Sequence, residues 1–152
     1  SLRALLGDYP FPTSSSPMPE VAPLILLAED DRHIRETTSD LLTLAGFRVH
    51  AAPSGRTASV ILKQEAVDLV ITDLVMPDGD GLWLMNRIHD EARPRRLPVI
   101  LLTAHADTTT QAAEARTRAD DYLPKPFDPD ALLEMVRRWL QRPLLELRTS
   151  QP

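Results

Sequence analysis

The chain has 152 residues, a formal net charge of −5, 43% hydrophobic and 26% charged residues, and no cysteine. These values suit one soluble globular domain with length left for tails; the acidic balance speaks against direct nucleic-acid binding by this segment. Missing cysteines exclude disulfides, thiolate metal sites and cysteine nucleophiles, and suit a reducing, cytoplasmic setting.

Residues 1–23 differ in composition from the rest of the chain. Pro10, Pro12, Pro17, Pro19 and Pro23 surround Ser14, Ser15 and Ser16, a composition that favours extended chain, so an N-terminal extension or interdomain linker is expected there. Leu2 to Leu6 could be the end of a preceding helix. Nothing near the N-terminus has the basic-then-apolar order of a signal peptide, and no apolar run approaches the roughly 18 residues that span a bilayer, so no membrane association is expected.

From Leu24 onward strands and helices alternate. The apolar run 24–28 predicts a buried strand. Leu41, Leu42, Leu44 and Ala45 lie at helical spacing in a segment from Arg35 that stops at Gly46. A second strand is predicted at 47–51, and Ser54 can cap a helix through Val60, Ile61 and Leu62. A third strand, 67–72, ends on Asp73 and runs into the turn-rich Pro77-Asp78-Gly79-Asp80-Gly81. Next come a helix at 82–89, a strand at 98–102 ending on Thr103, and a polar helix at 111–116 capped by Asp107. The fifth strand, 121–123, ends just before Lys125, and Asp128 caps a last helix carrying Leu132, Leu133, Val136 and Leu140. Five β-α repeats imply a doubly wound parallel sheet with helices on both faces, in a domain spanning 24–141 with a short tail at 142–152.

In an open α/β sheet, ligands bind beyond the carboxyl ends of the strands. Those ends carry Glu29, Asp30 and Asp31, then Asp73, then Thr103, and close on Lys125. Crowded carboxylates stay ionised only with a cation between them, and an all-oxygen donor set without His or Cys suits a hard ion, Mg²⁺ being the physiological choice. Mg²⁺ commonly bridges to phosphate; Lys125 and the Thr103 hydroxyl could bind the phosphate oxygens left free, and an aspartate so placed can itself be the nucleophile.

Four segments carry a closer likeness: LILLAEDD at 24–31, DLVITDLVMPDGDG at 68–81, VILLTA at 99–104 and DDYLPKPF at 120–127. In this order and spacing the chain resembles the receiver domain of bacterial two-component response regulators. The resemblance implies a (βα)5 flavodoxin-like fold with strand order 2-1-3-4-5. It implies Asp73 as phosphoacceptor, Glu29 and Asp30 as the acidic pair counted back from Arg35, and Val75 as the donor of a backbone carbonyl to Mg²⁺. Thr103 becomes the switch hydroxyl, Lys125 the phosphate-binding lysine and Tyr122 the aromatic that moves with the threonine, with a cis bond at Lys125-Pro126. The expected partner is a histidine kinase or histidine phosphotransfer protein, with self-association through the face of the fourth helix, fifth strand and fifth helix. The chain is then a switch rather than an enzyme, with only self-phosphorylation and autodephosphorylation chemistry.

Two features depart from the family. Arg118-Ala119 stands where Gly-Ala is common, and Val75 and His105 replace the amide or acidic groups that help position an attacking water, which points to a modified phosphoryl lifetime. A haloacid-dehalogenase-type phosphohydrolase is excluded because Val75 occupies the position of its second aspartate and the acidic pair precedes the nucleophile. His33, His50 and His89 lack ligand spacing and read as surface residues; Met76 and Met85 read as packing residues, and Trp83 and Trp139 as core or interface. The Pro/Ser-rich lead suits a module of a multidomain sensor or hybrid kinase, the alternative being a stand-alone or transcription-factor regulator.

Overall fold

A computed structural model describes residues 21–93, 95–104 and 108–150, with side chains described to residue 141. The five strands are β1 (Leu24–Ala28), β2 (Arg48–Ala52), β3 (Leu69–Asp73), β4 (Val99–Ala104) and β5 (Asp121–Lys125). They form one sheet in the order β2-β1-β3-β4-β5, every neighbouring pair parallel. The helices are α1 (Arg32–Leu44), α2 (Gly55–Gln64), α3 (Gly81–Asp90), α4 (Thr110–Arg118) and α5 (Pro129–Ser150). This is the topology the sequence resemblance implied.

Helices on both faces explain why β1 and most of β3 and β4 read as apolar runs: a strand covered on two sides has no solvent face to alternate with. Successive side chains of β1 enter opposite cores. Leu26 and Ala28 join Val70, Leu84, Met85, Leu101, Ala112 and Ala115 on the side of α2, α3 and α4. Ile25 and Leu27 join Leu42, Ile71, Ile100, Leu102, Leu132 and Val136 on the side of α1 and α5. β2 is an edge strand, and Arg48 and His50 on it are exposed, which blunts pairing with another chain. Met76 and Met85 are buried as expected, and Trp139 packs on the α5 side with its indole N–H donating to Asp121 Oδ2 at 2.9 Å.

Several boundaries shift for local reasons. The first helix starts at Arg32, before the expected Arg35, because Asp31 Oδ1 accepts the Ile34 N–H at 3.0 Å and caps it there. Gly46, at φ 102°, takes the left-handed position that ends it. Ser54 caps α2 as expected, accepting from Thr57 N at 3.1 Å. The cap of α4 is Thr109, whose Oγ1 accepts from Ala112 N at 3.1 Å, in place of the expected Asp107, which lies outside the described residues. Thr109 wins because it stands three residues before that orphan N–H, the spacing a capping hydroxyl spans. β5 continues through Lys125, since Thr103 and Ala104 of β4 pair with Pro124 and Lys125. Asp128 Oδ1 accepts from Asp130 N at 3.2 Å at the start of α5, and that helix runs to Ser150, into the stretch from 142 where a tail was expected. Arg118 sits in the last turn of α4 without a positive φ, so that turn does not require the family's glycine. The stretch 1–20, with the helix expected at 2–6, lies outside the described residues.

Candidate functional site

Register alone brings three strand ends together. β3 lies between β1 and β4, and Asp73 pairs with Leu102, one residue before Thr103. Beyond the end of β1, Glu29 is tied in by its N–H, which donates to Ala52 O at 2.9 Å. Glu29 is 1% exposed and Asp73 5%, while Asp30 is open to solvent. One carboxylate oxygen from each of Glu29, Asp30 and Asp73 falls within 4.8 Å of the others. Asp31 is spent on capping α1 and stands outside this group. The three line a cleft of about 320 Å³ with Ile34, Val75 and Lys125.

Lys125 is the one cation at the cleft among its lining residues. Its Nζ lies 2.9 Å from Glu29 Oε1 and 2.7 Å from Asp73 Oδ1. Glu29 Oε2 accepts from Asp31 N at 3.0 Å. Burial first, then the neighbouring Glu29, pushes the Asp73 carboxyl up to about 8. Burial works against ionisation of Glu29 too, but its bonds with Asp73, Lys125 and the Asp31 N–H outweigh it and hold the pKa below the usual range. Lys125 is likewise disfavoured by burial, yet the two carboxylates raise its pKa. Were all three carboxyls ionised, the site would hold more negative charge than one ammonium can balance.

The donor set fits a hard divalent cation on a further count. Asp73 Oδ1 is buried and, although the ammonium stands near it, has no aligned hydrogen-bond donor among the described residues. Buried and sharing its nearest cation with Glu29, that oxygen can take a further positive partner. A larger cleft of about 400 Å³ opens near the start of β5, between Arg93, Arg95, Arg96 and Asp120, but Glu91, Asp68 and Asp120 already match its arginines.

The loop after β3 is shaped by close backbone contacts. Asp78 and Gly79 both take positive φ, 58° and 94°. Gly55 N and Arg56 N donate to Gly79 O at 2.7 Å and Asp78 O at 3.1 Å, so the start of α2 grips the loop. Gly81 N donates to Leu74 O at 2.7 Å, and a Cβ on Gly81 would stand 2.3 Å from the Asp73 carbonyl oxygen. Gly81→Ala is therefore expected to destabilise the protein by more than ~2 kcal/mol, since backbone rather than a flexible side chain must move. Urea unfolding measures it; a loss near zero would mean the loop is looser than this contact implies.

Thr103, also expected at the site, is buried at the end of β4. Val75, 71% exposed, lies on the rim of the cleft. Tyr122 is 47% exposed, with the Arg116 guanidinium 5.9 Å from its ring centroid. The Lys125-Pro126 bond is cis, as the resemblance implied. His105 lies outside the described residues. Sequence reasoning used Arg35 only as a counting mark, yet its Nη1 donates to Glu29 O at 2.9 Å and Asp30 O at 3.2 Å.

A parallel sheet in this order, with acids, a threonine and a lysine at its carboxyl edge, defines a phosphate-signalling domain of the receiver type, and the family model for the response regulator receiver domain matches residues 25–137. The chain belongs to that family. It is 38% identical over 118 residues to the transcriptional regulatory protein GltR of Pseudomonas aeruginosa, covering 78% of this chain and 49% of GltR, so it spans about half the length of that relative. Among solved structures it is similar to a CheY-like receiver domain of Methanospirillum hungatei, with a TM-score of 0.75, 27% identity and coverage of 83% of this chain and 99% of that one. It is also similar to the receiver domain of the Pseudomonas aeruginosa sensor histidine kinase PA1611, solved with a magnesium ion in its active-site cleft (TM-score 0.72, 28% identity, 79% and 98% coverage). The fold is that of a phosphoacceptor switch rather than a conventional enzyme, and such domains work with histidine kinases or phosphotransfer proteins. No helix among the described residues is long and apolar enough to cross a membrane.

Proposed function

We propose that this domain accepts a phosphoryl group on Asp73 from a phosphohistidine donor. An Asp73 carboxylate oxygen forms the new bond to phosphorus, the phosphorus–nitrogen bond breaks, and the imidazole leaves with the electron pair and takes a proton. Glu29, Asp30, Asp73 and the Val75 carbonyl would hold Mg²⁺, which when bound supplies positive charge to the carboxylates and the phosphoryl oxygens. Lys125, tied to Glu29 and Asp73, is placed to move onto a phosphoryl oxygen as Asp73 loses its charge to the new bond. The observation that carries this reading is the meeting of three carboxylates within 4.8 Å in a cleft that also holds Lys125.

Withdrawing Mg²⁺ with EDTA, or making Asp30→Ala, should stop phosphorylation by acetyl phosphate. Asp30 is exposed, so this change should leave the fold intact, and relieving carboxylate repulsion should leave the melting temperature equal or higher. Phosphotransfer at full rate in EDTA would remove the metal from the account.

The Thr103 hydroxyl would close on the phosphoryl oxygens and Tyr122 turn inward from its exposed position, reshaping the face of α4, β5 and α5. That is a two-state equilibrium biased by contacts one state alone makes, and self-association through this face is its expected output. Val75 offers an attacking water no hydrogen bond, and His105 replaces a carboxylate, which together favour a long-lived acyl phosphate. Mg²⁺ dependence, no direct nucleic-acid contact by this segment and a cytoplasmic setting complete the reading. Parentage in a hybrid sensor kinase is supported by the Pro/Ser-rich lead and the likeness to the sensor-kinase receiver. The identity with GltR, by name a transcriptional regulatory protein, supports the alternative of a transcription-factor receiver.

A further inference from the structure

Glu29 and Asp30 are neighbours in sequence but are held in different ways. Glu29 is buried, its N–H donates to Ala52 O at 2.9 Å, and its carboxylate is bound at both oxygens, by Asp31 N at 3.0 Å and Lys125 Nζ at 2.9 Å. Asp30 is exposed, and among the described residues its carboxylate makes no hydrogen bond or ion pair. Its side chain therefore points where its backbone puts it, and a side-chain donor reaches that backbone from the helix that comes next in the chain. Arg35, in the first turn of α1, folds back so that its Nη1 bridges Glu29 O at 2.9 Å and Asp30 O at 3.2 Å.

We infer that Arg35 is a positioning residue for the metal site, holding the Glu29-Asp30 backbone so that the otherwise untethered Asp30 carboxylate is ordered before a cation arrives. The inference rests on Glu29, Asp30 and Asp73 holding Mg²⁺, as in the proposed function. Ordering a loop residue on binding costs conformational entropy, and an anchor already in place removes that cost from the binding step. A donor that reaches two consecutive carbonyls also fixes the peptide between them, which a single bond would leave free to turn. Helix α1 does not depend on this contact, because its start is secured by the Asp31 cap and by the Arg35 N–H to Asp31 O bond at 2.8 Å. Groups that orient a ligand in this way are typically worth about 10- to 100-fold in metal affinity.

The test is a MgCl₂ titration of the 152-residue chain, read from the amide NMR shifts of residues 29–31, with thermal melting of the metal-free protein measured beside it. Arg35→Met keeps the aliphatic stem and removes the donors; it should weaken Mg²⁺ binding about tenfold or more. Arg35→Lys, which keeps one cationic donor, should recover part of the loss. Arg32→Met, on the same helix turn and losing only the exposed 3.0 Å ion pair to Glu36, should bind within about twofold of the parent, with a melting temperature close to that of Arg35→Met. Should Arg35→Met fail to fold, Arg35→Gln carries the same comparison. A responsive parent with Arg35→Met binding equally well, or with Arg32→Met weakened as much, overturns the inference alone. A parent with no Mg²⁺-dependent shift overturns the metal reading and this inference with it.

Discussion

Asp73→Asn should raise the melting temperature of the metal-free protein at pH 8 and leave it nearly unchanged at pH 4. Burial, and then Glu29, lift the Asp73 pKa from 3.8 to about 8. Below 3.8 the carboxyl is protonated in folded and unfolded chains alike, and its contribution to stability is fully present. As pH rises toward 8 the unfolded chain ionises freely while the folded one must keep the proton or bury a charge, so stability is lost across that window. Glu29 titrates in the opposite sense, its lowered pKa adding stability above 4.5, but it is present in parent and variant alike and does not remove this slope. The advantage of Asp73→Asn should therefore grow with pH and reach several degrees in melting temperature at pH 8. An amide has the carboxyl's shape and no proton to lose, so it removes the slope. Thermal melts in EDTA from pH 4 to 9 measure this directly. An advantage for Asp73→Asn that is the same at both ends would mean that packing, not charge, is responsible.

Lys125→Met should damage both stability and chemistry. The lysine is the cation that faces Glu29 and Asp73, and methionine matches its stem without the charge. With the ammonium gone, the Glu29 carboxylate is buried without its counter-ion, and breaking a buried pair from one side costs about 3–5 kcal/mol. The loss should be largest near neutral pH and shrink as pH falls below the carboxylate range, where Glu29 can take up a proton. Phosphorylation by acetyl phosphate should fall by roughly 100-fold or more, because a preorganised positive group at the developing charge has been removed. Denaturant unfolding at pH 4 and 7, paired with the phosphorylation rate, separates the two effects. Near-parent stability at pH 7 would show that Glu29 does not rely on Lys125.

The fold was legible because its signal is redundant. Buried parallel strands read as apolar runs, β-α alternation left few topologies, and the candidate site residues sit at strand ends. Asp73, Thr103 and Lys125 could be placed at one edge from strand boundaries alone, even though β5 runs two residues longer than its expected end at Leu123, because parallel register aligns strand ends whatever their exact length. Choosing among Glu29, Asp30 and Asp31 required the family pattern; the physical reason, Asp31 committed to the Ile34 N–H, emerges only once α1 has a start. Thr109 rather than Asp107 as the cap of α4 was hidden by a run of three threonines after an aspartate, any of which satisfies the capping preference. The backbone contacts of Arg35 and Gly81 were illegible. Each acts through backbone atoms, one on two carbonyls and one through the space a Cβ would need, and hydrophobic periodicity carries no trace of either contact.

The central claim is that Asp73 is the phosphoacceptor, and mapping the phosphoryl group tests it most directly. The chain is incubated with acetyl phosphate and Mg²⁺, the acyl phosphate is reduced with borohydride to mark its carbon, and the modified residue is located by mass spectrometry of the digest. The expected result is a single phosphoryl group per chain, with the mark on Asp73 and none in Asp73→Asn, whose amide is too poor a nucleophile to replace the carboxylate. A mark on another residue of the wild-type chain, or undiminished labelling of Asp73→Asn, would contradict the account.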